Sequence, residues 1–170
     1  MNKENVILVD AQDKEVGVCE KMEAHQRGLL HRAFSIFILN SRNELMLQQR
    51  ALDKYHSGGL WTNTCCSHPR PGEKLSRAAN RRLNEEMGMR CNLKHIFSFI
   101  YKTQFENGLY EHELDHVFLG ITDNTPVINS LEVHDWKYLS IQDTEYELKE
   151  KPEHFTPWFK ICFDRFKSYL

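Results

Sequence analysis

The chain has no apolar run long enough to cross a bilayer. Its longest is AFSIFIL, Ala33–Leu39, whereas a spanning helix needs roughly 20 residues. The first residues, MNKENVILVDAQDKE, contain no long apolar core, no small-residue cleavage site and no Arg- or Ser-rich bias. Neither a secretory signal nor a transit peptide is therefore expected, and the protein is expected in the cytoplasm, away from membranes. A strong excess of one charge is also missing. Lys and Arg total 22 and Asp and Glu 24, leaving a net charge of -2, which argues against the basic footprint of a nucleic-acid binder. No CxxC pair occurs, so a zinc finger is disfavoured. The five cysteines, Cys19, Cys65, Cys66, Cys91 and Cys162, are odd in number and irregular in spacing, which speaks against a disulfide framework. There is no internal repeat and no low-complexity linker.

What is there is the composition of a globular enzyme, 41% hydrophobic and 27% charged over 170 residues. That length fits one domain spanning residues 1–170, expected to be a monomer. VILVD and EVGVCEK read as strands around the turn AQDK. RAFSIFILN and ELMLQQRA form a hairpin through NSRN, and KHIFSFIYKTQF and ELDHVFLGIT form another around ENG. VHDWKYLS is a short strand. DKYHSGGLWTNTCCSHPRPG reads as a long loop, a feature that in compact domains is usually functional. EKLSRAANRRLNEEMG is the clearest helix, with Leu75, Ala78, Ala79, Leu83 and Met87 at helical spacing and Gly88 at the C-terminal cap. FTPWFKICFDRFKSYL closes the chain as an amphipathic helix. The order predicts an α/β (α+β) fold, an α/β/α layering around a mixed sheet.

Three stretches carry chemistry. WTNTCCSHPRPGE places Cys65, Cys66 and His68 together, which suits a nucleophile, an acid/base pair or a metal site. In LYEHELDH, residues two apart share a strand face, so Glu111, Glu113 and Asp115 point one way. Such a row is either a solvated edge or a cation site, and with His25, His31 and His68 it would suit Mn²⁺, Zn²⁺ or Fe²⁺, or Mg²⁺ with more water. In RRLNEEMG, Arg81 and Arg82 stand at i,i+4 spacing from Glu85 and Glu86, which predicts surface ion pairs. Carboxylates in a last helical turn are electrostatically unfavourable, a hint of a nearby cation. The remaining histidines His56, His95, His134 and His154 are expected to be structural or surface groups.

Ser67–Met89 resembles the Nudix box G-x5-E-x7-R-E-U-x-E-E-x-G-U, in which U is apolar. Glu73, Arg81, Leu83, Glu85, Glu86, Gly88 and Met89 match it. The leading glycine is replaced by Ser67 and the glutamate after the arginine by Arg82. Loss of that acidic group argues against ordinary Nudix diphosphate hydrolysis. RALDKYHSGGLWTNTCCSHPRPGE, YEHELDHVF and FTPWF are similar to the type I isopentenyl-diphosphate isomerases, a family of Nudix fold, and the resemblance covers nearly the whole chain.

The resemblance implies interconversion of isopentenyl and dimethylallyl diphosphate, a small-molecule reaction. It implies Cys66 and Glu113 as the proton-transfer pair, Cys66 acting as thiolate, with Tyr101 assisting Glu113 and Trp158 lining the pocket. It implies a first metal site of His25, His31, His68, Glu111 and Glu113, holding Mn²⁺, Zn²⁺ or Mg²⁺, and a Mg²⁺ bridging Glu86 to the diphosphate. Lys21, Arg50, Lys54 and Ser67 are the implied diphosphate contacts, joined by Arg82. Cys65 is expected to be a packing residue. The competing readings are a metal-dependent Nudix diphosphohydrolase, which has no need of Cys66, and a metal-stabilised binding module without turnover.

Overall fold

In the computed structural model, residues 4–170 are described; residues 1–3 of the expected domain lie outside them. Strands β1 (Asn5–Val9) and β2 (Glu15–Glu20) pair antiparallel. Their turn is closed by Asp10, whose Oδ1 accepts the N–H groups of Gln12 and Lys14, as short acidic side chains do in turns. Helix α1 (Lys21–Arg27) follows directly. It is not expected from the sequence. Seven residues are too few to display an apolar stripe, and it is held instead by its ends. The Glu20 carboxylate accepts from Met22 and Glu23 N–H, and Gly28, at φ 63, returns its N–H to Ala24.

β3 (His31–Leu39) and β4 (Glu44–Arg50) form the expected hairpin, yet they touch through a single register pair, Leu39 with Leu45. Beyond it the strands splay, and two short strands inside the expected loop enter the gap. β5 (Trp61–Thr62) pairs with β4, and β6 (Cys65–Ser67) pairs with β3. Asn63 and Thr64 between them satisfy the backbone that the splay would orphan. The Thr64 hydroxyl accepts from Ile38 N–H and donates to the Met46 carbonyl, and the Asn63 amide donates to the carbonyls of Ile36 and Cys65. Unpaired buried backbone groups are costly, so the NTCC stretch is fixed rather than mobile.

β7 (Lys94–Gln104) and β8 (Tyr110–Ile121) are the second hairpin, with Gly108 at φ 79 in its turn. β8 starts at Tyr110, earlier than the expected Glu113. It runs parallel to β3, from His31 opposite Glu113 to Leu39 opposite Ile121. β9 (Val133–Ser140) pairs with β4. Helix α2 (Leu75–Met87) is the expected one. α3 (Ile141–Glu150) is not expected; only Ile141, Thr144 and Leu148 turn toward the core, a stripe too sparse to stand out, and the helix starts from a Ser140 cap. α4 (Pro157–Tyr169) closes the chain.

Strand alternation sorts the core into two faces. Phe34, Ile36 and Ile38 of β3 meet Ala78, Ala79, Leu83 and Met87 of α2. Phe37 and Leu39 meet Phe159, Phe163 and Phe166 of α4. Each such side chain contributes on the order of 1.5–3 kcal/mol on burial. The result is a mixed sheet between helices, as expected. No helix of the described residues is long and apolar enough to cross a membrane.

Candidate active site

Three histidines from three elements meet on one side of β3. His25 comes from α1, His31 from the first position of β3 and His68 from just beyond β6. Among the described residues they form the one group of three metal-ligating side chains whose ligand atoms all lie within 4.8 Å of one another. Two of them are turned by their far ring nitrogens. His25 Nδ1 donates to the Tyr110 carbonyl at 2.8 Å and His31 Nδ1 to the Leu29 carbonyl at 2.8 Å. In neutral rings that leaves both Nε2 lone pairs bare, and both atoms are buried without a partner. Burial lowers the pKa of His25 and takes that of His68 down to about 4. Imidazoles oriented through their far nitrogens, with their near nitrogens turned toward one point, are the donor arrangement a divalent metal requires.

The carboxylates complete the set. Glu111, Glu113 and Asp115 do share one face, but it is a buried face and not a solvated edge. His68 Nε2 lies 2.9 Å and His31 Nε2 3.5 Å from Glu113 Oε1. Burial resists ionisation of Glu113, yet the neighbouring His31 and His68 hold its carboxyl well below the usual carboxylate range. Burial and the Glu113 charge push Glu111 well above that range. The Tyr101 hydroxyl contacts Oε2 of both, at 2.6 Å for Glu113 and 2.9 Å for Glu111. Two buried carboxylates this close call for a cation between them and the bare imidazoles. The five side chains therefore fit a divalent metal.

Cys65 and Cys66 face opposite sides of β6, as adjacent strand residues must. Cys65 is buried against α2 in the apolar layer, matching its expected packing role. Cys66 looks into the cavity that also receives His25, His68, Tyr101, Glu111 and Glu113. Its Sγ lies 2.9 Å from Asn63 Oδ1, placed to donate, and 3.7 Å from Ser35 Oγ. Burial and the neighbouring Asp115 push the Cys66 thiol above its ordinary value. The expected thiolate is thus not the resting form. Among the described residues no cationic side chain hydrogen-bonds the sulfur, and its partner Ser35 spends its proton on Asp115 Oδ2 at 2.7 Å.

The cationic wall forms as expected. Lys21, Arg50, Lys54, Ser67 and Arg82 line the same cavity, with Glu86. The pairs foreseen along α2 exist, but Arg82 is half-buried and Glu86 buried in the pocket wall rather than on the surface. Glu86 also accepts from Gln48 Nε2 at 2.8 Å. Trp158 closes the far side, with the Arg50 guanidinium 5.2 Å from its ring centre.

Sequence reading missed the lining groups His56 and Glu132 and the role of Asp115 behind them. His56, expected to be structural or surface, stacks on Phe105 at 4.6 Å between ring centres and meets the Trp158 edge. Burial and Arg50 take its pKa down to about 3. Glu132 holds both Lys54 and Arg82. Its only sequence signal is its place just before β9. Asp115 was seen as a carboxylate of the row but not as a partner of Ser35. One of its oxygens is buried without a partner, and burial with the Glu113 charge pushes its pKa up to about 8.

Comparison with known proteins gives a consistent picture. Residues 29–159 match the NUDIX domain. The chain is 55% identical over 163 residues to the isopentenyl-diphosphate Delta-isomerase 2 of Aromatoleum aromaticum, covering 96% of this chain and 86% of that one. It is 55% identical over 164 residues to the isopentenyl-diphosphate Delta-isomerase of Pectobacterium atrosepticum, covering 96% and 92%. Among solved structures, a Deinococcus radiodurans protein superposes with a TM-score of 0.79 at 18% identity, over 95% of this chain and 98% of that one. A MutT protein of Methanosarcina mazei superposes with a TM-score of 0.67 at 18% identity, over 82% and 94%. At that identity the superpositions speak to the fold alone.

Proposed function

This chain belongs to the isopentenyl-diphosphate isomerases of NUDIX fold, and from that premise we propose that the cavity between β6, β8 and α4 interconverts isopentenyl and dimethylallyl diphosphate, with Cys66 and Glu113 moving the protons. The single observation that carries the assignment is the 2.9 Å contact between His68 and Glu113. It brings the loop bearing Cys66 against the strand bearing Glu113 inside one cation-lined cavity.

The chemistry is a proton gained at the terminal methylene and another lost from the carbon two bonds away. Between the two lies a tertiary carbocation that water would capture, so the site must be closed and dry. Toward dimethylallyl diphosphate, Glu113 delivers its proton with Tyr101 holding the same oxygen, and Cys66 takes the second. In the reverse direction the Cys66 thiol gives and the Glu113 carboxylate takes. The resting protonation states, a thiol at Cys66 and a carboxylate at Glu113, are those that start the reverse direction. The Trp158 face stabilises the cation, an effect of about 2 kcal/mol when desolvated. Lys21, Arg50, Lys54, Ser67 and Arg82 bind the diphosphate and fix the five-carbon tail.

His25, His31, His68, Glu111 and Glu113 would hold one divalent cation, with Mn²⁺, Zn²⁺ and Mg²⁺ all compatible with the donor set, and Glu86 would hold Mg²⁺ against the diphosphate. When bound, these ions would supply positive charge that offsets the buried carboxylates and neutralises the diphosphate. The protein works as a single-domain monomer in the cytoplasm.

The test is incubation with isopentenyl diphosphate and Mg²⁺ in D₂O, followed by NMR, beside Cys66→Ala and Glu113→Gln. Deuterated dimethylallyl diphosphate from the parent and none from the variants supports the assignment. Intact unlabelled substrate overturns it, and release of phosphate moves the assignment to a diphosphohydrolase.

A further inference from the structure

A second group of histidines lies outside this cavity. It sits on the opposite face of β8, because His116 is an odd number of residues from Glu113. His95 Nε2 of β7 is 3.0 Å from His116 Nδ1. The other nitrogen of His116, Nε2, donates to Asp13 Oδ2 at 2.9 Å. Asp13 is itself fixed. Its backbone is left-handed, at φ 63, and Arg32 donates to its Oδ1 at 2.7 Å and to its carbonyl at 2.8 Å.

Ordinary strand geometry would not make this pair. The β7–β8 register has His95 opposite Phe118 but Ser98 opposite His116, with a bulge between His95 and Phe97. Cross-strand partners share a face, and so do Phe118 and His116 along β8. The extra residue therefore carries His95 onto the face of His116, to which uninterrupted alternation would have brought Ile96. Bulges re-aim side chains in this way.

We propose that His95 and His116 form an open binding site for a borderline transition-metal ion such as Zn²⁺, Cu²⁺ or Ni²⁺. Two imidazole nitrogens on one tetrahedral metal stand about 3.3 Å apart at usual bond lengths, close to the separation found. A carboxylate on the far nitrogen of a ligating histidine fixes its tautomer and raises its basicity, which is the position of Asp13. That bond makes Nδ1 of His116 the lone-pair atom; without metal it accepts from His95 Nε2–H, and an ion would take that proton's place as His95 carries its proton on Nδ1 instead. His95 is exposed, so the remaining coordination positions belong to water. Nitrogen ligands exclude Mg²⁺ and Ca²⁺ as occupants. The bound ion would join β7 to β8 and, through Asp13, to the turn of the first hairpin. Nothing in the isomerase reaction calls for it.

Zinc titration of the full chain by calorimetry, repeated on His95→Ala, His116→Ala and Asp13→Asn, tests the site. His25→Ala serves as the background with the three-histidine site disabled. The expected result is two classes of zinc sites in the parent, one of which persists in His25→Ala and weakens tenfold or more in His95→Ala. Asp13→Asn should weaken it about 10–100-fold, and isomerase turnover should be unchanged in His95→Ala. Because His95 is exposed, its loss leaves the fold intact even if His116→Ala does not. Equal zinc stoichiometry and affinity in His95→Ala and the parent would overturn the proposal. So would a parent whose zinc binding is entirely lost in His25→Ala.

Discussion

The Tyr101 hydroxyl lies 2.6 Å from Oε2 of Glu113. Both groups are buried, and Tyr101 is pushed above its ordinary value by burial and by the charges of Glu111 and Glu113, so the phenol stays a donor throughout the working range. Tyr101→Phe removes that donor and keeps the ring. Turnover of isopentenyl diphosphate should fall about 10²-fold, within the range of acid–base assistance, with KM nearly unchanged. Steady-state kinetics with circular dichroism as a fold check decide it. A raised KM with normal kcat would instead give Tyr101 a binding role.

Chelation of divalent cations should abolish turnover and lower the melting temperature, because the bare Nε2 atoms of His25 and His31 and the Glu111–Glu113 pair lose their common partner. Metal bound to the folded state stabilises it by mass action, about 2.7 kcal/mol at a hundredfold excess over Kd. Elemental analysis of the parent and of His31→Ala reads the same site directly. Unchanged metal content in His31→Ala would remove His31 from the ligand set.

The metal-free protein should lose stability on mild acidification. His56 and His68 have folded pKa values of about 3 and about 4 against an ordinary 6.5. Between those limits the unfolded chain binds protons that the folded chain refuses, so stability is full above 6.5 and drains as pH falls. Asp115 has the opposite sign. Its folded value of about 8 exceeds the ordinary 3.8, so its contribution is full below 3.8 and is lost as pH rises through 8. Urea unfolding with chelator should show that His56→Phe flattens the acid limb. Asp115→Asn should compare better with the parent at pH 9 than at pH 6.

Arg82 stands where the Nudix pattern has a glutamate, and its guanidinium is held in the pocket wall by Glu86 and Glu132. Arg82→Gln should raise KM for isopentenyl diphosphate about 10- to 100-fold, the size expected for losing a charge-assisted hydrogen bond of about 1.5–3 kcal/mol. An unchanged KM would show that Arg82 only neutralises its two glutamates.

Gly88→Ala should destabilise the protein by more than about 2 kcal/mol in urea unfolding, since a left-handed residue with a Cβ costs roughly 1–2 kcal/mol before any clash. Gly88 has φ 61, and an added Cβ would press on the carbonyl of Val127 and come within 2.9 Å of its Cβ. The segment it abuts receives the last carbonyls of α2, with Val127 N–H on Met87 and Asn129 N–H on Glu86.

Elements with a strong period were readable in advance, and the rest were not. α2 and β9 match their expected spans because their apolar spacing and terminal glycine or polar boundaries agree. α1 is too short to show a stripe and α3 shows only the sparse one of Ile141, Thr144 and Leu148, so neither stood out; both are capped at their N-termini by a side chain. The residues of the site were legible mainly through family resemblance. Spacing showed that Glu111, Glu113 and Asp115 share a face, but not that the face is buried. That depends on β3 lying parallel beside β8. Glu132 and His56 could not be picked out, since a single acid before a strand and a single histidine in a loop have no pattern. Their roles come from Lys54, Arg82, Phe105 and Trp158 arriving from elsewhere in the chain.

The parallel register that sets His31 opposite Glu113 also dictates a timetable. Parallel neighbours cannot be closed by a tight turn, and here the intervening chain includes β4, β6, α2 and β7. Such long-range pairing carries a large loop-closure cost and forms late. A chain emerging from the ribosome presents His25, His31 and His68 well before Glu111 and Glu113 exist to join them. The two carboxylates reach the histidines only when β8 docks, so complete metal capture reports on the final assembly of the sheet.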